Sequence, residues 1–130
     1  MAYAADAHRI YLARETTGGI PEQISRADFA CDDTIYAVAE LSGLPKGKHE
    51  LVATWTDPHG RTRERTPLPF LARLPQERIW VWLRLHRPAG SAAISFFDPA
   101  AGMSEFVGQW TVNVALDGTK LETLRFKVLC

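Results

Sequence analysis

The side chains best suited to chemistry in this chain are four histidines, two cysteines and a run of arginines and tryptophans near its middle. His8, His49, His59 and His86 show no short ligand spacing such as His-x-Glu or His-x3-His, and Cys31 and Cys130 stand far apart in sequence. A sequence-local zinc site therefore has no foothold. Asp28, Asp32 and Asp33 cluster as calcium ligands do, but they lack the alternating spacing and glycine of a calcium loop. Turn formation accounts for them better. No Gly-x-Ser-x-Gly occurs, neither cysteine sits in a nucleophile motif, and Gly18-Gly19, Gly43 and Gly47 read as turn glycines, not as a phosphate loop. Paired carboxylates for glycosidic chemistry would meet only in space and leave no spacing signature. The sequence argues against an enzyme, and no metal or cofactor is expected.

One constellation does suggest binding. From Arg78 to Arg87, Ile79, Val81, Leu83 and Leu85 alternate with Trp80, Trp82, Arg84 and His86, the period of a strand with two unlike faces. If the aliphatic face is buried, the tryptophans are either covered by the Pro88–Glu105 segment or stand in a contact patch. Trp and Arg are enriched among interface anchors, and indole rings also stack on sugars and bases. Arg61, Arg63 and Arg65, on a wholly polar stretch, would extend such a surface. The expected binding residues are thus Trp80, Trp82, Arg84, His86, Arg61, Arg63 and Arg65. They suit a non-catalytic protein-interaction or assembly domain; the alternative is a carbohydrate- or small-ligand-binding sandwich using the tryptophans as platforms.

Charge favours a protein partner or a second copy of the chain. The 15 basic and 15 acidic groups cancel, so no net field favours nucleic acid or an anionic membrane. Residues 1–60 nevertheless carry net −4 and residues 61–87 net +5, all of the latter's cations being Arg. Two antiparallel copies could set each Arg-rich edge against the other's acidic half. The bland account is solvated strand faces and pairing within the chain.

A length of 130 residues suits one domain, spanning 1–130, with residues 1–30 as an N-terminal strand-and-loop extension. No apolar run approaches the roughly 20 residues of a spanning helix. Two cysteines are too few for a disulfide framework, so free thiols are expected, with a single bridge as the alternative. Without an apolar leader segment a cytoplasmic setting is expected. Ala2-Tyr3-Ala4 has the small-x-small form of a cleavage site, which keeps a periplasmic or secreted setting as the alternative.

The elements that must position these residues are short strands. His8 to Ala13 places Ile10 and Leu12 on one face. Arg14 to Ser25 has the Gly and Pro chemistry of a loop, with a helical turn over Pro21 to Ala30 as the alternative. Ile35 to Leu41 follows a turn at Asp32-Asp33, and His49 to Thr56 buries Leu51, Ala53 and Trp55. Asp57-Pro58-His59-Gly60 fits a type I turn. Arg61 to Thr66 reads as a charged edge strand that Pro67 and Pro69 bar from a ladder's centre. Phe70, Leu71 and Leu74 then tuck beneath a loop ending at Pro75. Pro88 to Glu105, with its apolar Ile94-Ser95-Phe96-Phe97, predicts a packed flap or an extra short strand. Phe106 to Leu129 is a hairpin: Trp110, Val112, Val114 and Leu116 face inward, Asp117-Gly118 turns, and Leu124, Phe126 and Val128 return. Leu121 falls out of phase, which predicts a three-residue loop or a bulge near Glu122 rather than a perfect two-residue turn.

This pattern predicts an all-β, antiparallel sandwich of about seven to eight strands. Trp55 ahead of the Asp-Pro-x-Gly turn, and Phe106-Val107-Gly108-Gln109-Trp110-Thr111-Val112 with Asp117-Gly118, resemble the immunoglobulin-like or fibronectin-III-like domains of bacteria over residues 35–130. The inter-sheet cysteine pair and the tyrosine corner of antibody domains have no counterpart here. The resemblance implies a fold and a bias toward binding or assembly, and no site residue.

Overall fold

The computed structural model describes residues 7–85 and 106–130. Among the described residues eight strands run in chain order: β1 (Ala7–Ala13), β2 (Asp28–Ala30), β3 (Thr34–Ser42), β4 (Gly47–Thr56), β5 (Thr62–Ala72), β6 (Gln76–Arg84), β7 (Gly108–Leu116) and β8 (Thr119–Leu129). They form a three-stranded sheet, β1-β3-β6, and a five-stranded sheet, β2-β8-β7-β4-β5. Every pairing is antiparallel except β2 with β8. The all-β expectation of seven to eight strands holds. An antiparallel arrangement throughout does not, because the three residues of β2 run parallel to β8.

One apolar core draws on both sheets. Ile10, Leu12, Ile35, Ala37, Ala39, Leu41, Val81 and Leu83 come from the first; Leu51, Ala53, Trp55, Trp110, Val112, Val114, Leu116, Phe126 and Val128 come from the second. Period-two alternation explains the inward sets of β4, β7 and β8. Trp110 stacks on Phe126 at 6.0 Å, and Phe126 meets Trp55 edge-on at 6.1 Å and Phe29 edge-on at 5.6 Å. Both fully buried indoles satisfy their N–H, as burial of that donor requires. Trp110 donates to the Phe106 carbonyl at 2.7 Å and Trp55 to the Thr66 hydroxyl at 3.1 Å.

The two motifs that carried the resemblance touch. In the Asp57–Gly60 turn, the Asp57 carboxylate accepts from the His59 and Arg61 backbone N–H groups, both at 2.9 Å. Gly60 N–H closes the turn on the Asp57 carbonyl at 3.0 Å. Pro58 then lies so close to Gly108 that a Cβ there would meet its ring at 3.0 Å, and Gly108 holds φ 132°, where side chains are disfavoured. Glycine opens β7 for a steric reason. At the other end Asp117 and Gly118 take φ 50° and 84° in a two-residue turn, and the register slips between Val114 and Ala115 so that Leu121 is left over beside Glu122. The predicted bulge is there; the turn itself, expected not to be a perfect two-residue one, has two residues, because the register slip lies further along the hairpin.

Several expectations need correction. β5 continues through Pro67 and Pro69 to Ala72, which an edge position permits because the missing N–H groups have no ladder to serve on that side. Phe70 is accordingly a strand residue packed on the core, and Leu71 and Leu74 are exposed, not tucked beneath a loop. No helical turn forms over Pro21 to Ala30; β2 occupies its end and buries Phe29. The expected Arg78–Arg87 strand begins earlier and ends at Arg84. His86 and the Pro88–Glu105 flap lie outside the described residues.

The cysteines are not free. Cys31 and Cys130 form a disulfide, with Cα atoms 5.1 Å apart, immediately after β2 and β8. Cys31 N–H also bonds the Leu129 carbonyl at 3.1 Å. Three paired residues are a poor strand by themselves, and the bridge fixes that edge of the five-stranded sheet. Because it closes a loop with a sequence separation of 99, its removal is expected to cost about 2–4 kcal/mol. Urea unfolding of the oxidised chain against Cys31→Ser measures this; equal midpoints would mean the bridge contributes nothing.

Candidate functional site

The outer face of the first sheet is ordered by cross-strand registry. On β3, Thr34, Tyr36, Val38 and Glu40 lie opposite Arg84, Trp82, Trp80 and Arg78 of β6, and β1 adds Ala13 beside Tyr36, Tyr11 beside Val38 and Arg9 beside Glu40. Tyr11, Ala13, Tyr36 and Val38 are buried there as a second apolar cluster, with Trp80 half-buried against it.

What covers the cluster is the loop from Arg14 to Ala27. Arg78 donates to the Tyr11 hydroxyl at 2.9 Å and reaches the Glu22 carbonyl at 3.4 Å and that of Pro21 at 3.5 Å. Glu22 is a hub: it accepts from Arg14 N–H at 3.0 Å and from Arg26 at 2.8 and 3.1 Å. The Arg26 hydrogen bond leads the effects that hold its carboxyl below the ordinary range; burial opposes them. The Tyr36 hydroxyl donates to Glu15 at 3.0 Å and lies 3.3 Å from the Gly19 carbonyl. Burial first, then the Glu15 hydrogen bond and charge, push the Tyr36 phenol up, against the nearby Arg84 charge. This phenol keeps its proton at neutral pH.

The cover stops at Tyr36. Beyond it lies a cleft of about 450 Å³ lined by Glu15, Gly19, Thr34, Tyr36, Trp82 and Arg84. Trp82 is 55% exposed, with its ring 6.2 Å from that of Tyr36 and tilted 47° to it. Its indole N–H has no partner among the described residues. Arg84 makes one hydrogen bond, to the Thr34 hydroxyl at 3.3 Å, and no ion pair among the described residues. A second cleft, of about 510 Å³, lies at the far end of the same face around Arg9, Glu40 and Arg78. There the charges answer one another: Glu40 lies 3.1 Å from Arg9 and 3.6 Å from Arg78. The cations also cap rings, Arg9 over Tyr11 at 4.4 Å and Arg78 over Trp80 at 5.4 Å. Of these two clefts among the described residues, the Trp82 cleft is the one with unspent donors beside an open aromatic face.

Of the seven residues expected to bind, the six that are described do not form one surface. Trp80, Trp82 and Arg84 share the outer face of the first sheet, but Trp80 is under Arg78 and against the second cluster. Arg65 lies on the second sheet, opposite Thr54 and turned away from the Trp55 side. Arg61 and Arg63 flank Asp57, whose side chain is fully buried, at 3.2 and 3.7 Å, and Arg63 also lies 4.8 Å over the Phe106 ring. Burial raises the Asp57 pKa, but the backbone N–H groups of Arg61 and His59 and the two Arg charges outweigh it, and the net shift is downward. Part of the Arg-rich charge is thus answered inside the chain. Arg63 and Arg84 still border one small crevice of about 120 Å³ over Phe106 and Trp110. Sequence reasoning missed Glu15 and Tyr36; nothing but the fold brings them to Trp82.

Among the described residues, no group of three His, Cys, Asp or Glu comes together as a metal site. His49 is a clamp. Its Nδ1 lies 2.6 Å from the Asp117 carboxylate and its Nε2 2.7 Å from the Pro45 carbonyl. Both partners accept, so both ring nitrogens donate when the ring is the imidazolium. Asp117 also accepts Glu50 N–H at 2.8 Å, which ties the β7–β8 turn to β4. The Asp117 hydrogen bond, then that to Pro45, push the His49 pKa above its ordinary 6.5 against the effect of burial.

No family model matches the chain, and no curated protein does. Among solved structures it is similar to the CARDB domain of the PF1109 protein from Pyrococcus furiosus, a crystal structure in complex with di-metal ions. That match spans 99% of this chain and 95% of the other, at 6% identity and a TM-score of 0.45. Likeness at this level assigns neither fold nor site.

A folded-state pKa raised above the unfolded one stabilises most below the unfolded value, and that gain is lost as pH rises through the folded value. Stability is therefore expected to fall as pH rises from about 6 through the His49 transition. Urea midpoints across that range should show a step that His49→Gln removes. An identical step in the variant would assign the pH dependence elsewhere.

Proposed function

We propose that the chain is a non-catalytic binding module that recognises its partner through the Trp82 cleft. One observation carries this reading: Trp82 is the only fully described tryptophan that is mostly exposed, and it stands beside an Arg84 with no carboxylate partner among the described residues. Large exposed aromatics next to arginine are characteristic of binding anchors, and concave sites with a few convergent polar groups are the common form of a ligand pocket.

The disulfide bears on where such a module would work. A single bridge persists in oxidising surroundings, which supports the periplasmic or secreted setting over the cytoplasmic one.

A protein-observed NMR screen of polar fragments against the whole, 15N-labelled chain tests the reading. Fragments that bind are expected to shift the Trp82 indole N–H and the Arg84 side-chain N–H resonances. Trp82→Ala should abolish the Arg84 response while melting close to wild type, since exposed substitutions usually change stability by no more than about 0.5 kcal/mol. Hits that gather at the Arg9–Glu40 cleft, or none at Trp82, would overturn it.

A further inference from the structure

We infer that the ligand class of the Trp82 cleft is a neutral glycan, with one sugar ring stacked on the exposed face of Trp82. This rests on the binding reading above and names what the site would hold.

A pyranose presents an apolar face of C–H groups and a rim of hydroxyls, each of which both donates and accepts. A complementary site needs a flat apolar platform with donors on one side and acceptors on the other. Trp82 supplies the platform, half open to solvent at 55% exposure. Arg84 lies two residues further along the same face of β6 and uses one of its N–H groups on Thr34; a guanidinium has five. Across the cleft, one Glu15 oxygen accepts from Tyr36 at 3.0 Å, and its other oxygen makes no hydrogen bond among the described residues. A carboxylate has about four acceptor positions in all. Donors and acceptors therefore flank the ring from opposite elements, β6 and the covering loop.

Charge narrows the class. One Arg and one Glu line the cleft, so a strongly anionic ligand would gain at Arg84 and lose at Glu15, and a cationic one the reverse. Hydroxyls satisfy both. Phosphodiester strands are disfavoured on the same ground, although bases also stack on indoles. A volume of about 450 Å³ falls within the range of small-ligand sites.

Shape argues against a protein partner. A stable protein interface occupies about 800 Å² on each side, and the obvious way to extend the patch, along β6 to Trp80, is closed. Trp80 is packed against the Tyr11 cluster and capped by Arg78. The open aromatic area is one indole wide.

The test titrates the intact, oxidised, 15N-labelled chain with cellohexaose, laminarihexaose and mannohexaose, and separately with hexagalacturonate, while light scattering follows the mass. At least one neutral hexasaccharide should shift the Trp82 indole resonance in a saturable way. The Arg84 side-chain and Tyr36 backbone N–H resonances, from residues that line the same cleft, should shift with it; Trp82→Ala should abolish those shifts and Trp82→Phe retain part of them. Arg84→Gln and Glu15→Gln should each weaken binding about tenfold, the scale of a hydrogen bond to a charged group, with melting temperatures near wild type. If fragments still report binding at Trp82 but no neutral oligosaccharide does, the glycan assignment fails while the binding reading stands. Binding of hexagalacturonate alone would overturn neutrality. A Trp82 shift that tracks protein concentration, with a doubled mass, would give the site to a second copy of the chain.

Discussion

The arrangement depends on one constraint: the three-stranded sheet must be kept dry on both of its faces. Its inner face meets the five-stranded sheet through Ile10, Leu12, Ile35, Val81 and Leu83. Its outer face carries Tyr11, Ala13, Tyr36 and Val38, too large an apolar area to leave in water, and the Arg14–Ala27 loop covers it. The loop's backbone is satisfied by the same contacts, since Arg26 N–H bonds the Leu12 carbonyl at 2.7 Å and Glu22 N–H the Arg14 carbonyl at 2.9 Å. Buried loop groups without such partners would be costly. The position of the candidate site is a consequence. Where the loop ends its cover, at Tyr36 and Glu15, the next aromatic on the ladder is Trp82, and it is left open.

The five-stranded sheet solves a different problem, that of edges. Its inner strands, β4, β7 and β8, are paired on both sides. β5 protects one edge with Pro67, Pro69 and charged side chains, as edge strands commonly do. β2 is the other edge, only three residues long, and the Cys31–Cys130 bridge holds it in place. The turns are similarly fastened: Asp57 locks the β4–β5 connection, and His49 with Asp117 locks the β7–β8 turn to β4. Buried and half-buried polar side chains at the turns thus act as joints between core strands.

Much of this was legible in the sequence where a local period could report it. The alternation in β4 and β7, the Asp-Gly turn, the out-of-phase Leu121 and the Asp57–Gly60 turn all follow from residues within a dozen positions of each other. What was not legible lies in long-range pairing. β2 is too short to have a period, and its partner β8 lies near the other end of the sequence. The prolines of β5 correctly marked an edge strand, but its continuation through them to Ala72 depends on which neighbour the strand lacks. Trp82 and Arg84 were visible from the composition of β6, but the same alternation described Trp80 equally well. Only the loop's path separates a covered tryptophan from an open one. Glu15 and Tyr36 gave no signal, being a loop acid and a strand tyrosine until the fold joins them.

The central claim is that cover on the outer face ends between Trp80 and Trp82. Hydrogen exchange at the indole nitrogens reads this without any ligand. The Trp55 and Trp110 N–H protons, buried and bonded, should exchange only through large-scale opening. The Trp82 N–H should exchange at nearly the rate of free tryptophan. A Trp82 proton as protected as that of Trp110 would show the cleft to be closed in solution and contradict the account.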